Sequence, residues 1–170
     1  MEFSTAFQFV PIDKRRTISK PRKSGITMVS DYQLGLASLS DLIEVAGHYI
    51  DLFKIATGTS RLFGKTHLLA KIEMLRANDI RPFLGGQFQE YVIHTMGVDA
   101  MPRHLSEARA LGFDIIEISD NMIQLGQGLR EQLFDMVRDQ GMSPVGEIGD
   151  KRKSSSIMSI IDEVNEVLGM

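Results

Sequence analysis

The sequence has no cysteine, no apolar run close to the ~20 residues that span a membrane, and no excess of positive charge. Without cysteine the chain has no disulfide, no thiolate metal site and no cysteine nucleophile, and it suits a reducing compartment. The net charge of -3 gives no overall field for gathering nucleic acid or anionic lipid. The N-terminus also lacks the order of a signal peptide, in which basic residues precede an apolar run. These absences predict a cytoplasmic protein with no nucleic-acid or membrane partner.

The composition is that of one globular domain. The chain has 170 residues, of which 43% are hydrophobic and 24% charged, enough for a single core and too few for two comfortable domains. The basic cluster over residues 14–23 has two interpretations, a phosphate-binding arm or a solvated segment, and we favour the second. We expect an N-terminal arm over residues 1–24, poorly ordered in part, and one domain over residues 25–170.

Short apolar runs alternate with amphipathic helical patterns along the chain. The predicted strands are 25–31, the first part of 49–60, which ends in a Gly/Thr/Ser loop, 80–86, 113–120 and 142–151. The predicted helices are 38–49, with Ser40 as a possible N-cap, 64–79, 87–97, 101–112, 128–141 and 156–170. Five strands, each followed by a helix, indicate parallel pairing and the α/β class. An open doubly wound sheet and a (β/α)₈ barrel are the two candidate architectures, and length alone favours the open sheet because a barrel typically needs ~250 residues.

Polar residues follow almost every predicted strand. Strand three ends in Gly85 and Gly86, with Glu90 one helical turn further on, and the other strands end in Asp31, Lys54, Glu117, Ser119, Glu147 and Lys151. The carboxyl ends of parallel strands form one rim, where ligands bind in such folds. Residues two apart share a face of a strand, so Glu117 groups with Ser119, and Lys54 lies opposite Asp51. The pattern predicts a ligand site on this rim.

The residue types narrow the chemistry of that site. Several carboxylates without cysteines or paired histidines suit a hard cation such as Mg²⁺. Two lysines beside them suit an anionic substrate or a proton transfer. Gly58, Thr59 and Ser60 are compatible with a phosphate-binding loop. The same residue types are also common in ordinary turns and helix caps. The four histidines fall in separate helical patterns and have no metal-ligand spacing.

Five of these stretches, taken in order and spacing, resemble the phosphosulfolactate synthase family. The stretches are "GITMVSD", "IDLFKIATGTS", "GGQFQE", "LGFDIIEISDN" and "GEIGDKR". The resemblance runs from about Gly25 to the end of the sequence. It implies a (β/α)₈ barrel of which this chain has about five βα units, so it reverses the expectation from length. Such a partial barrel is either a fragment or covers its open sheet edges with another copy or another chain, and we predict a homo-oligomer.

The resemblance also implies an activity, the Mg²⁺-dependent addition of sulfite to phosphoenolpyruvate by a carbon–sulfur lyase. Lys151 is then the predicted proton donor, and Lys54 with the backbone N–H groups of Gly58, Thr59 and Ser60 holds phosphate. Glu90, Glu117 and Glu147 are the candidate metal or water ligands, Asp31 is a weaker fourth, and Glu147 is also a candidate catalytic residue. The remaining predicted substrate contacts are Gly85, Gly86 and Ser119.

The chain departs from the family pattern at four positions, which are Thr57, Gln87, Asn121 and Asp150. These residues alter the shape and charge of the pocket around retained carboxylates, so they affect substrate identity more than fold. Two alternatives to the lyase therefore remain open. One is a non-catalytic or repurposed relative, a stress-related or assembly module. The other is a binding module for a different phosphorylated metabolite.

Overall fold

A computed structural model describes residues 6–11, 13, 15, 17, 19–149 and 155–169. The strands are β1 (Met28–Asp31), β2 (Leu52–Ile55), β3 (Arg81–Leu84), β4 (Ile115–Ile118) and β5 (Ser143–Gly146). The α-helices are α1 (Leu36–Ala46), α2 (Lys65–Arg76), α3 (Gly86–Met96), α4 (Met101–Leu111), α5 (Gln127–Asp139) and α6 (Ile157–Leu168). The predicted alternation is confirmed, including the two helices that separate β3 from β4.

Helix ends follow local chemistry, with one correction to the sequence analysis. Gly112 ends α4 in the left-handed conformation, with φ of 98°, which a glycine adopts without strain. Ser156 caps α6, because its side chain accepts a hydrogen bond from the Ser159 N–H at 3.1 Å. The prediction that Ser40 caps α1 is wrong. That helix begins after Gly35, a full turn earlier, and Ser40 lies inside it.

The strand order decides between the two candidate architectures. All five strands are parallel and pair in chain order, β1-β2-β3-β4-β5. Right-handed crossovers that always step in the same direction put every connecting helix on the same side of the sheet. A doubly wound sheet instead reverses its strand order and has helices on both sides. The expectation from length is therefore wrong, and the chain forms five consecutive units of a barrel-type sheet that remains open.

The two sides of the sheet differ in burial as this topology requires. Strand residues that point to the helices are enclosed, with Phe53 and Ile55 both 0% exposed. The opposite side of the sheet is called the open face here. It includes Met28 and Val145, which are 47% and 37% exposed. In a closed barrel this face lines the interior. The alternation along each strand thus separates core residues from residues that face the barrel axis.

The hydrophobic core lies between the sheet and its helices. It joins strand residues such as Ile116 and Ile118 to helix residues such as Leu75, Leu105 and Leu133. Burial of each such side chain contributes about 1.5–3 kcal/mol relative to exposure. This core fixes the strand ends that carry the polar residues of the rim.

The segment before β1 is attached to the amino-terminal end of the sheet. Lys20 Nζ donates to the Gly47 carbonyl at 2.7 Å, and Arg22 pairs with Asp51 at 2.7 Å. Asp51 also accepts from the Thr27 N–H at 2.9 Å. These contacts place Asp51 just before β2, at the far end of that strand from Lys54.

Across the described residues, no helix combines the length and the apolar character that a membrane crossing requires.

Candidate active site

Lys54 and Glu117 meet on the open face near the carboxyl ends of β2 and β4. Lys54 Nζ lies 2.5 Å from Glu117 Oε1, and the two side chains are 13% and 7% exposed. The strand between them presents Phe83, whose ring centroid is 5.7 Å from Lys54 Nζ. This contact was not foreseen from sequence. The pair gives the rim a cation and a carboxylate that are shielded from solvent and still reachable from the open face.

The start of α3 supplies a second contact to Glu117. The Gly86 N–H donates to Glu117 Oε2 at 2.6 Å. This N–H belongs to the first residue of the helix, where unsatisfied amides and the helix dipole favour a negative charge. One oxygen of Glu117 therefore accepts a hydrogen bond from a lysine, and the other accepts one from the N-terminus of a helix. The arrangement fixes the orientation of the carboxylate.

Gly85 and Gly86 are needed because backbone and side chains approach closely at this point. A Cβ on Gly86 would lie 2.5 Å from Ser119 Oγ and 2.8 Å from Ser119 Cβ. A Cβ on Gly85 would lie 3.1 Å from the Ile55 carbonyl oxygen. The double glycine thus allows α3 to begin directly against β2 and β4. Both residues lie beside the Lys54–Glu117 pair, and their role as substrate contacts, like that of Ser119, stays a prediction.

Glu90 lies beside this site with its carboxylate fully enclosed. It is 0% exposed, and it accepts hydrogen bonds from Ser119 Oγ at 2.5 Å, from the Ile123 N–H at 3.0 Å and from the Met122 N–H. These donors belong to the loop that follows β4. Glu90 therefore anchors that loop, and a metal at Glu90 would have to displace several donors.

Asp31 lies on the other side of the sheet from Lys54. Its carboxylate is paired with Lys71 of α2, both side chains are 0% exposed, and Asp31 Oδ1 accepts from the Gln33 and Leu34 N–H groups at 3.0 and 2.7 Å. The Lys71 ammonium also lies 4.5 Å from the Phe63 ring centroid. Asp31 is thus separated from Lys54 and Glu117 by the sheet itself.

Glu147 follows β5 and is joined to the loop after β4. Asn121 Nδ2 donates to Glu147 Oε2 at 2.5 Å, and the Glu147 N–H donates to the Ile118 carbonyl at 2.9 Å. Asn121 is one of the four departures from the family pattern, and it is only 4% exposed. Lys151, the predicted proton donor, and Asp150 lie outside the described residues.

The Gly58–Ser60 turn follows β2 with unusual backbone angles. Thr57 and Gly58 have φ of 53° and 75°, and the first value is uncommon for a β-branched residue. The Thr59 N–H and Oγ1 both donate to the Ala56 carbonyl, at 3.1 and 2.9 Å, so the turn itself uses Thr59. Ser60 lines a cavity in the helical layer with Leu68 and Leu84, and its Oγ is buried. The side chains of this turn thus do not join the Lys54–Glu117 pair.

The predicted metal ligands do not form one cluster. Within residues 6–11, 13, 15, 17, 19–149 and 155–169, no three histidine, aspartate or glutamate side chains are grouped as a metal site. Glu117, Glu90, Glu147 and Asp31 each accept at least one hydrogen bond from a protein donor. An oxygen-binding cation would therefore be held by one or two of these carboxylates, and water or substrate would supply its other ligands. Mg²⁺ commonly binds in this way.

Two buried polar residues were missed by the sequence analysis, one beside the site and one on the other side of the sheet. Gln89 is 1% exposed, and its Oε1 accepts from the Ser119 N–H at 3.2 Å, which holds the end of β4 against α3. Lys71 is 0% exposed beside Asp31. A sequence signal existed for Lys71 alone, since it falls on the apolar stripe of α2 formed by Leu68, Ile72 and Leu75.

Comparison with known proteins identifies the family. A model of the (2R)-phospho-3-sulfolactate synthase (ComA) family matches residues 15–170. The phosphosulfolactate synthase of Methanothermobacter thermautotrophicus is 36% identical over 132 residues, which is 78% of this chain and 50% of that protein. The corresponding enzyme of Methanocaldococcus jannaschii is 28% identical over 158 residues, 93% of this chain and 59% of that protein.

Two further similarities are more distant. Protein HEAT-STRESS-ASSOCIATED 32 of Arabidopsis thaliana is 24% identical over 126 residues, 72% of this chain and 43% of that protein. A D-psicose 3-epimerase from Clostridium cellulolyticum H10 aligns with a TM-score of 0.49 at 10% identity, over 82% of this chain and 59% of that chain. The chain spans about half the length of the curated synthases that it matches. On the strength of the family match over residues 15–170, the chain belongs to the (2R)-phospho-3-sulfolactate synthase family.

Proposed function

We propose that this chain contributes to a phosphosulfolactate synthase reaction, in which sulfite adds to phosphoenolpyruvate. The observation that supports this proposal most directly is the Lys54–Glu117 pair, at 2.5 Å, on the rim where ligands of this fold class bind. Family membership supplies the reaction class. Because the chain spans about half of its relatives, activity of this chain alone is part of the proposal.

The proposed reaction forms one carbon–sulfur bond and one carbon–hydrogen bond. The sulfite lone pair attacks the methylene carbon of phosphoenolpyruvate, and the π electrons of the double bond move toward the carboxylate. A proton is then added to the carbon that bears the phosphate, which gives phosphosulfolactate without any oxidant or reductant. The enzyme has to bind two anions together and stabilise the negative charge that develops on the substrate carboxylate.

Lys54 is proposed to bind an anionic oxygen of phosphoenolpyruvate. Its ammonium has several donors, of which one is used by Glu117, and Glu117 with the Gly86 N–H fixes where the charge lies. A lysine held in this way loses little freedom when the substrate binds. Lys151 remains the predicted proton donor, and Gly58 and Ser60 remain predicted phosphate contacts through their backbone N–H groups.

Mg²⁺ remains part of the proposal because the family pattern implies it. The carboxylates that would hold it are Glu117 and Glu147, with substrate oxygens and water as the other ligands. When bound, such an ion would neutralise negative charge on the substrate carboxylate. Glu90 and Asp31 are the weaker members of the predicted set, since their carboxylates are fully buried among protein donors.

A non-catalytic role is the competing function. It is favoured by one observation, that all four predicted metal-binding carboxylates already accept hydrogen bonds from the protein. Such pairing is typical of carboxylates whose role is to stabilise the packing of the rim. A relative of this chain bears the name HEAT-STRESS-ASSOCIATED 32, which does not describe a synthase.

One experiment separates the two functions. The purified chain is incubated with phosphoenolpyruvate, sulfite and Mg²⁺, the sulfonate product is followed by mass spectrometry, and the oligomeric state is measured on the same sample. We expect a product that disappears when EDTA is added. Lys54→Met should remove it, whereas Lys65→Met, the same change on an exposed lysine of α2, should not. A folded sample without product would support the non-catalytic role.

A further inference from the structure

The turn that follows β2 contains a threonine whose backbone conformation suits it poorly. Thr57 and Gly58 have φ of 53° and 75°, and the Thr59 N–H donates to the Ala56 carbonyl at 3.1 Å. Residues 56–59 thus form a turn in which both central residues are left-handed. Asparagine followed by glycine is the preferred pair in such a turn, whereas a β-branched residue is disfavoured there. Gly58 therefore matches the turn, and Thr57 does not.

Asp79 has the same φ of 53°, but its conformation has a local explanation. It lies just after α2, where the Ile80 N–H donates to the Leu75 carbonyl at 3.0 Å. This hydrogen bond is typical of a helix that ends through a left-handed residue. Aspartate also adopts the left-handed conformation more readily than threonine does. Neither explanation applies to Thr57, which follows a strand.

The turn lies at the rim, beside Lys54. A Cβ on Gly85 would lie 3.3 Å from Ala56 Cα and 3.3 Å from Lys54 Cε, so the start of the turn and the lysine side chain border the same glycine. A Cβ on Gly58 would lie 3.5 Å from Phe88 Cβ, in the first turn of α3. The turn is thus held between Lys54 and the N-terminus of α3.

Thr57 presents an accessible hydroxyl on this turn. The side chains that follow it are buried, and Thr59 Oγ1 donates to the Ala56 carbonyl at 2.9 Å. Thr57 is exposed, and within the described part of the chain its hydroxyl makes no hydrogen bond. The Thr57 hydroxyl and the Lys54 ammonium are therefore two donors on one part of the rim. An anion with several oxygens can accept hydrogen bonds from both.

We propose that Thr57 is a substrate-binding residue, whose hydroxyl donates a hydrogen bond to the phosphate group of phosphoenolpyruvate. Left-handed residues other than glycine are costly, and they cluster at ligand sites, where the strain is part of the function. The β-branched side chain of Thr57 has few rotamers, so its hydroxyl is held in a narrow range of directions. The inference rests on the proposed function, because it assigns a contact to the same substrate.

Thr57→Val tests the hydroxyl. Valine keeps the β-branched shape and the strained backbone, so the melting temperature should not change. Phosphoenolpyruvate affinity, measured by calorimetry, should fall about tenfold through loss of one hydrogen bond to a charged group. Thr17→Val is the matched control, at an exposed threonine of the segment before β1, and it should bind as the original chain does. Equal affinity of folded Thr57→Val and the original chain would overturn the proposal.

Thr57→Asn tests the strain. Asparagine before glycine suits this turn, so the melting temperature should rise by about 2–4 °C. Asp79→Asn is the matched control at the same φ, and it should shift the melting temperature by less, because aspartate already tolerates the conformation. It should also leave phosphoenolpyruvate affinity unchanged. If Thr57→Asn melts no higher than the original chain, Thr57 is not strained and the proposal fails.

Lys54→Met separates this inference from the proposed function. If Lys54→Met weakens phosphoenolpyruvate binding and Thr57→Val does not, the rim binds the substrate without Thr57, and the assignment of Thr57 alone is wrong. If both variants weaken binding while Thr17→Val does not, the assignment is supported. If phosphoenolpyruvate does not bind the folded original chain, the proposed function fails, and the role of Thr57 fails with it.

Discussion

Two lysine–carboxylate pairs lie near the carboxyl ends of adjacent strands, on opposite sides of the sheet. Lys71 and Asp31 are both 0% exposed and lie in the helical layer, whereas Lys54 and Glu117 are 13% and 7% exposed and lie on the open face. The register explains this difference, because Asp31 is paired with Ile55 while Lys54 is paired with Ser30. Residues paired across parallel strands share a face, so a shift of one position separates a core ion pair from a pair at the rim.

The difference bears on how each pair is used. An ion pair without access to solvent cannot meet a substrate, and its role is to hold β1 against α2. The pair on the open face keeps part of the lysine accessible and has the N-terminus of α3 beside it. The same residue types thus serve packing in one region and are available for chemistry in the other. Three variants test this comparison, in order of their expected effect on the free energy of unfolding.

Lys71→Met should have the largest effect on stability. It leaves the Asp31 carboxylate buried without its counter-charge, which typically costs about 3–5 kcal/mol. The measurement is the free energy of unfolding from urea titration. The double variant Asp31→Asn with Lys71→Met removes both charges and keeps the acceptor for the Gln33 and Leu34 N–H groups, so it should recover most of the loss. A double variant as unstable as the sum of the two single variants would show that the pair is not coupled.

Gly86→Ala should have an intermediate effect on the free energy of unfolding, because it disturbs the start of α3, which holds Glu117 of the rim pair. The added methyl group meets Ser119 Oγ at 2.5 Å, and overpacking of this kind costs about 1–3 kcal/mol. Gly128→Ala is the matched control near the start of α5, where a Cβ meets nothing within 4 Å, and it should stabilise the chain by about 0.5–1 kcal/mol. Equal unfolding free energies for the two variants would mean that α3 can move away from Ser119.

The sequence predicts the elements of this fold far better than their arrangement. Apolar runs and helical spacing are local, and they locate each strand and α-helix of the described residues, although β5 ends at Gly146, five residues before its predicted end. Strand order is a long-range property, so length points to the wrong architecture, and the partial barrel is predicted only through the resemblance to the family. The rim positions of Lys54 and Glu117 follow from the strand-end pattern, but their contact depends on residues 63 positions apart. Asp31 alternates with the apolar Val29 and Lys71 lies on an apolar stripe, so the buried pair had a readable signal.

Other contacts at the rim have no local signal. Glu90 is bonded to Ser119, Met122 and Ile123, about thirty positions further along the chain, and only the folded backbone brings them together. A glutamate one turn into a helix is typical of both a metal ligand and a loop anchor. The sequence cannot distinguish the two roles, because they differ in what surrounds the carboxylate and not in the residue type or its spacing.

Lys54→Met should have the smallest effect on stability and the clearest effect on binding. Glu117 keeps the Gly86 N–H and the helix N-terminus, and the partly exposed position admits water, so we expect a loss of about 1 kcal/mol in unfolding free energy. Phosphoenolpyruvate affinity, measured by calorimetry, should fall at least tenfold, whereas Lys71→Met should leave it unchanged at temperatures where that variant is folded. If Lys54→Met destabilises the chain as much as Lys71→Met and leaves phosphoenolpyruvate affinity unchanged, both pairs are structural. The distinction between the two faces would then have no functional content, and the rim would be a packing feature of the sheet.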